Sequence, residues 1–490
     1  MPGRSESTAG GILWLTAAKL YFMLTGVALL LALPAFFKRF YPDTHVALYG
    51  DYRTVIGLVN WCNMVLIGGT LQAVAKFVSE APGRTDSVKW TTLRIQGILA
   101  GGLTLALLLG AGALARGAYG DPALAGPLRL AAPVVLLYGC YAVVIGCLNG
   151  LGRFRHQALM DILFATLKVG LTIGLVAAGL AMEGALGAFV VTAAVMLAIS
   201  WAVLGREGGS EGVSWRAILA FEGKTLLYAA LLNGVLQLDV QLLKVLAPDA
   251  LGDSSLQTGI YAAALQIGQL PYVATLSVTF VVFPLVSRST FNEDVERTRA
   301  YVRTTNRYSL LMLAGLAAAL ACNARGVLAL VYPDEYLVAA PELAMLTAGY
   351  ALLAMAVITA GILTASGRPW WSAGLFALVL LTLAALEVVL IPRLGGPGAA
   401  RGALGAMALA FLAAAVLSWR RFRVFVPPLT LARAALAVGA TWALGEVLPP
   451  AGGAVVTVGR GVIQFVAFWL VLVLTRELTA ADLRGLRRRS

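Results

Sequence analysis

Residues 225–288 read TLLYAALLNGVLQLDVQLLKVLAPDALGDSSLQTGIYAAALQIGQLPYVATLSVTFVVFPLVSR. Two long apolar segments are joined by a short acidic loop carrying Asp249 and Asp253. The first segment holds Asn233, Gln237, Asp239, Gln241 and Lys244. The second holds Gln266, Gln269 and Pro271, and closes on Pro284-Leu-Val-Ser-Arg288. Each is long enough to cross about 30 Å of hydrocarbon as a helix. Polar groups this dense are costly in lipid, so they belong where they face a cavity or one another. The pair therefore reads as the lining of a transport path.

The same pattern extends along the whole chain. Of 490 residues, 60% are hydrophobic and only 12% charged, against roughly one quarter charged in soluble domains. Apolar runs of about 20 residues recur without alternation, which selects membrane helices over a barrel. The formal net charge is +13. The arginines fall mostly between spans, which points to membrane topology and away from nucleic acid. Cys62, Cys140, Cys147 and Cys322 lie in or beside apolar runs without metal or disulfide spacing, and neither His45 nor His156 sits among Cys, Asp or Glu partners in a metal-site pattern. Gly223-Lys224-Thr225 lacks the glycine and the strand of a phosphate-binding loop. No cofactor motif and no catalytic constellation is present, so the chain does not read as an enzyme.

Fourteen spans are expected, near 12–36, 54–79, 94–115, 128–149, 158–180, 184–204, 222–246, 258–286, 308–331, 338–365, 371–391, 400–419, 426–448 and 453–475. The first is too long for a cleaved signal segment. With both termini inside, the inner segments carry Lys and Arg over the outer ones by roughly two and a half to one, as positive-inside topology requires. The inner linker 288–307 reads as a solvated helix capped by Ser289 or Thr290, and the tail Arg484–Arg489 as an inner basic anchor.

Gly146-Cys-Leu148-Asn-Gly-Leu-Gly152-Arg153 and Gly361-Ile-Leu363-Thr-Ala-Ser-Gly367-Arg368 match in Gly, Leu, Gly and Arg, 215 residues apart. Six spans separate them, so the repeat is parallel. It divides the chain into a six-helix lobe at 1–206, a second at 207–421, and an added helix pair with the basic tail at 422–490.

Charges inside spans need a reason. Lys19 lies about eight residues into the first span, ~12 Å deep, and Lys168 about ten into the fifth. Both read as facing a central cavity. Lys224, at the start of its span, reads as interfacial. On the first quoted segment Asn233, Gln237, Gln241 and Lys244 fall within ~80° of arc and form one polar stripe. Asp239 lies on the opposite side. An acid held there can bind a proton or Na⁺, since burial disfavours its charge and a cation relieves it. Pro271 should bend the second segment and allow it to gate a cavity.

Three local patterns resemble one family. They are Asp239 followed by Gly259-Ile-Tyr261-Ala-Ala-Ala264, the ending Pro284-Leu-Val-Ser287, and the junction Gly150-Leu-Gly152-Arg153-Phe154. Together with fourteen spans they resemble the multidrug/oligosaccharidyl-lipid/polysaccharide (MOP) flippase superfamily, closest to its Wzx-type polysaccharide exporters. The resemblance implies a V-shaped, all-α transporter in the bacterial inner membrane. It would flip undecaprenyl-diphosphate-linked oligosaccharide repeat units by alternating access, coupled to H⁺ or Na⁺, in company with a polysaccharide polymerase. Lys19, Lys168 and Lys244 would meet the diphosphate or acidic sugars, and Asp239 would take the coupling cation. A lipid II flippase is the close alternative and a drug/cation antiporter a more distant one. A glycan polymerase or ligase would need a large outer loop, and the outer loops here reach only about 17 residues by the same span boundaries.

Overall fold

The computed structural model describes residues 8–205, 212–275, 286, 294–449 and 453–478; the side chains of 8–13, 224 and 225 fall outside that description. The described residues are helical throughout, with no strand among them. Lipid explains this, since only elements that satisfy their own backbone polar groups can cross it. Contacts gather the chain into two compact units, Met1–Gly259 and Ile260–Ser490.

The first unit contains α1 (Thr8–Phe40), α2 (His45–Glu80), α3 (Thr85–Ala113), α4 (Ala125–Ala131), α5 (Pro133–Gly150), α6 (Phe154–Leu175), α7 (Ala181–Leu204) and α8 (Trp215–Leu246), with the start of α9 (Ser254–Gly268). Residues 154–204 are continuously helical by hydrogen bonding, yet Gly179 (φ 89°) and Ala181 (φ 41°) break the axis. A straight helix of that length would extend ~76 Å, so α6 and α7 are two crossings, and they pack on each other. Helix α2 is the organising strut, packed by α8, α5, α1 and α3. Gly50 and Gly259 make its tightest crossing. A Cβ on Gly259 would stand 2.1 Å from the Val46 carbonyl oxygen, and one on Gly50 2.0 Å from that of Ser255. Small residues at such crossings let backbones touch where no hydrophobic force drives association.

The second unit contains α10 (Val295–Cys322), α11 (Ala324–Val331), α12 (Ala340–Ala365), α13 (Pro369–Leu394), α14 (Gly396–Phe422), α15 (Pro428–Val447) and α16 (Ala454–Leu474). Helices α10 and α11 meet at a 77° bend. Helix α12 is the hub, with 83% of its apolar window buried. Its counterpart under the sequence repeat, the α4–α5 segment, is the most buried span of the first unit at 67%. Helices α15 and α16 pair with each other and lean on α10, where the Phe468 ring sits over Gly315. Glu477 fastens this pair: it binds Arg307 Nε at 2.7 Å, Arg433 Nη1 at 2.9 Å and the Thr430 hydroxyl at 2.7 Å.

The repeated junctions fold alike. Gly152 (φ 70°) and Gly367 (φ 80°) end α5 and α12 in the left-handed conformation. Arg153 N–H reaches Leu148 O at 2.9 Å, and Arg368 N–H reaches Leu363 O at 3.0 Å, the Schellman closure that explains both the Gly and its offset. Asn149 bonds Gln157, and Thr364 bonds Ser372, again 215 residues apart.

Ten helices among the described residues are long and apolar enough to span, or eleven counting the bent α10–α11 pair, against the fourteen expected. The 154–204 stretch counts once there although it is broken at Gly179, and α15 falls short of the apolarity required. The expected span 258–286 is described only in part. Helix α10 starts at Val295, with Asp294 as its cap accepting from Arg297 N–H at 2.9 Å. The expected caps Ser289 and Thr290, the motif 284–287 apart from Val286, the Lys224 side chain and the basic tail Arg484–Arg489 lie outside the described residues.

Candidate functional site

Helix α8 meets α2 through its polar stripe. Gln237 and Gln241 lie over Gly57, whose bare Cα makes room for them; a Cβ there would stand 2.9 Å from Gln241 Nε2 and 3.2 Å from Gln237 Oε1. Gln241 is buried and spans three elements, giving a hydrogen bond to Thr54 O at 3.0 Å and taking one from the Tyr119 hydroxyl. Trp61 Nε1 on α2 donates to Ala230 O at 3.2 Å. Asn233 is half-buried and bonds its own helix at Ala229 O. In this conformation the stripe is closed onto α2.

The stripe ends in a buried ion cluster. The Lys244 side chain has no solvent exposure. It donates to Asp51 Oδ1 at 2.9 Å, to Asp121 Oδ2 at 3.0 Å and to Ser255 Oγ. An ammonium has three hydrogens, and here each finds an acceptor. The acceptors come from α2, from the 119–124 connection and from the start of α9. Two carboxylates and one ammonium leave the cluster one negative charge in excess. Lys244 is thus a tie between elements at one end of the bundle.

Lys19 and Lys168 stand on one wall, formed where α1 packs along α6. Lys19 Nζ pairs with Asp161 at 2.8 Å while its side chain stays 52% exposed. Lys168 Nζ sits 3.8 Å from the centre of the Phe189 ring, a cation–π contact worth up to about 2 kcal/mol when desolvated. Around it Tyr138, Tyr141, Phe164 and Phe189 form a connected aromatic group. Asp161 and Lys168 are seven residues apart and so share a face. The wall offers two cations, one acid and four rings, with Lys19 still open to a ligand on its exposed side.

Asp239 is fully buried on the other side of α8 from the stripe. Helix α9 stops at Gly268, Gln269 forms a turn, and the helix resumes at Leu270, just before Pro271. There Gln269 Nε2 bonds the Tyr350 hydroxyl at 3.1 Å, and a Cβ on Gly268 would stand 2.8 Å from Leu346 Cβ. Four acids escape sequence reasoning. Asp51 and Asp121 look in sequence like loop or span-end polar residues. Asp161 carries a usable signal, since it shares one helical face with Lys168. Glu222 stands in sequence at the edge of an apolar run, but α8 begins at Trp215, so Glu222 lies two turns inside it and is fully buried.

A family model described as "Polysaccharide biosynthesis protein" matches residues 47–341. No curated protein matches the chain. Among solved structures, the chain is similar to the lipid II flippase MurJ in an inward closed conformation, with a TM-score of 0.75 at 13% identity, covering 95% of this chain and 99% of that one. It is also similar to a multidrug resistance MATE family transporter of the MOP superfamily in an inward-facing conformation (TM-score 0.66, 16% identity, 84% and 98% covered). A third is a MOP superfamily transporter from Pyrococcus furiosus with a binding pocket of reverse polarity (TM-score 0.64, 17% identity, 86% and 97% covered). At these identities the likeness is one of fold: a multi-pass helical membrane protein of MOP-transporter architecture.

Proposed function

The chain belongs to the polysaccharide biosynthesis protein family, and from that premise we propose that it flips undecaprenyl-diphosphate-linked oligosaccharide units across the bacterial inner membrane by ion-coupled alternating access. The observation that carries this reading is the α1–α6 wall. A half-exposed Lys19 ammonium and the ring-mounted Lys168 suit a diphosphate, and the half-buried Tyr138 in the same aromatic group suits a sugar face. Both termini lie in the cytoplasm, which puts the Lys244 cluster at the periplasmic end. There it holds the outer entrance shut while the stripe Asn233, Gln237 and Gln241 is closed onto α2. When α8 leaves α2, the stripe becomes part of the path, Pro271 supplies the bend for that motion, and Asp239 takes the coupling H⁺ or Na⁺. The exported unit is handed to a polymerase outside.

The test is surface glycan in cells carrying Lys19→Ala or Lys168→Ala. Each variant inserts normally and loses export. Wild-type glycan in both variants would remove the wall from the substrate path. A lipid II flippase would use the same diphosphate recognition, so rescue of cells depleted of their lipid II flippase separates the two; rescue moves the assignment to peptidoglycan precursor.

A further inference from the structure

We propose that Glu222 is a proton-binding carboxyl, protonated while α8 lies against α2 and α3 and ionised when that end of α8 separates from them. Glu222 is fully buried, and neither of its carboxyl oxygens has a hydrogen-bond partner among the described groups. The polar group beside it is Thr70 of α2. The approach is close, since a Cβ on Gly69 would stand 3.4 Å from the Glu222 carbonyl oxygen and 3.3 Å from Leu226 Cδ2.

The hydrogen inventory of Thr70 decides the protonation state. Its hydroxyl has one hydrogen, which goes to Leu66 O at 2.8 Å. Its oxygen accepts from Gln96 Nε2 of α3. What remains for Glu222 is a lone pair. An ionised carboxylate can only accept and cannot use it; only a protonated carboxyl has an O–H to offer it. The alternative is a buried anion with no donor, the costly form of a carboxylate.

Among the described side chains, no cation changes this. On α2, Lys76 lies 5.0 Å from the Phe77 and Phe221 ring centres and pairs with Glu80 at 3.5 Å. On α3, Lys89 is buried against Asp86, and Arg94 is exposed. On α8 itself, Arg216 stacks on Trp215. The apolar cluster shared by α2, α3 and α8 packs Ala73, Ile95 and Ile218 together, with Phe77 and Phe221 against them. Separation of α8 from α2 and α3 would bring water to the carboxyl, the O–H bond would break, and the proton would pass to water, leaving a solvated carboxylate. The link from this proton to transport rests on the ion-coupled reading above; the protonation itself does not.

The experiment is infrared difference spectroscopy on the purified full-length protein in lipid nanodiscs, without substrate. The protein at neutral pH should show a protonated-carboxyl C=O band that Glu222→Gln lacks. Thr70→Val, which removes the acceptor lone pair but adds no donor, should keep the carboxyl protonated and shift the same band in frequency at neutral pH, and it keeps the test usable if the Gln variant folds poorly. No Glu222-dependent band, or a band indifferent to Thr70→Val, overturns the proposal. Because no substrate is present, this result can fail while glycan export stands, and export can fail while this result stands.

Discussion

Replacing Lys244 with Met should open the α2–α8 end of the first unit. The lysine side chain is wholly enclosed, and Asp51 and Asp121 retain only 18% and 25% exposure. Met fills the volume but leaves two carboxylates facing each other without their cation. Removing one partner of a buried ion group costs about 3–5 kcal/mol; the partial exposure of both acids puts this case near the lower figure. At about 1.4 kcal/mol per decade, a cost of about 3 kcal/mol shifts the closed-to-open ratio by roughly two orders of magnitude. Asp51→Asn should do much less, because Lys244 keeps Asp121 and the cluster only loses its excess negative charge. The triple change Lys244→Met, Asp51→Asn, Asp121→Asn should recover closure, since no unpaired charge remains. Spin labels on the exposed residues Asp43 and Ala250, each changed to Cys in a cysteine-depleted background, report the separation by electron–electron resonance. The single Met variant should show a longer, broader distance distribution, and the triple variant one close to the parent. A parental distribution in Lys244→Met would refute the view that this cluster closes the end.

Two further outcomes follow from other acids. Glu477 is pushed up by burial but more strongly pulled down by its bonds from Arg307, Thr430 and Arg433, so its carboxyl titrates below the usual range. The stability it supplies is therefore complete above the ordinary Glu pKa of ~4.3 and is lost as pH falls through its depressed value. Amide exchange in α15 and α16 should rise in that acid window, and should already be raised at neutral pH in Glu477→Gln; unchanged exchange in the variant would show that the clamp does not hold the pair. For Asp239→Asn, glycan flipping should lose its dependence on ΔpH or on Na⁺ in vesicles, and a variant with the parental dependence on both would take Asp239 out of coupling.

Much of this molecule is written in single-residue patterns. The junctions at Gly152 and Gly367 are legible because a Schellman closure needs a residue that tolerates positive φ at one fixed offset from the helix end. The polar stripe of α8 is legible because helical periodicity depends on the chain alone. Partners are not. Periodicity puts Lys244 on the right face, yet nothing in the sequence says that Asp51, 193 residues away, and Asp121, 123 away, converge on it. The Lys19 pairing with Asp161 is of the same kind. Glu222 is hidden for another reason. Hydropathy puts the span start at the charged residues themselves, whereas α8 extends two turns beyond them and carries Glu222 into the interior.

The two ends of α8 now acquire matching roles. Glu222 and Lys244 are 22 residues apart in sequence, or ~33 Å along the axis, close to the thickness of a bilayer core. Each is fully buried, and each depends on a group from α2, Thr70 at one end and Asp51 at the other. A transporter must open a helix pair at either end while the opposite end stays closed, so that the path never opens through. A tie that depends on a neutral carboxyl at one end, and on an intact ion cluster at the other, provides two latches with different chemistry. Ionising Glu222 weakens only its own end; disturbing the Asp51–Lys244–Asp121 set weakens only the other. On the proposed alternating-access reading, α8 needs independent latches at its two ends, and Lys244→Met and Thr70→Val each act on one of them alone.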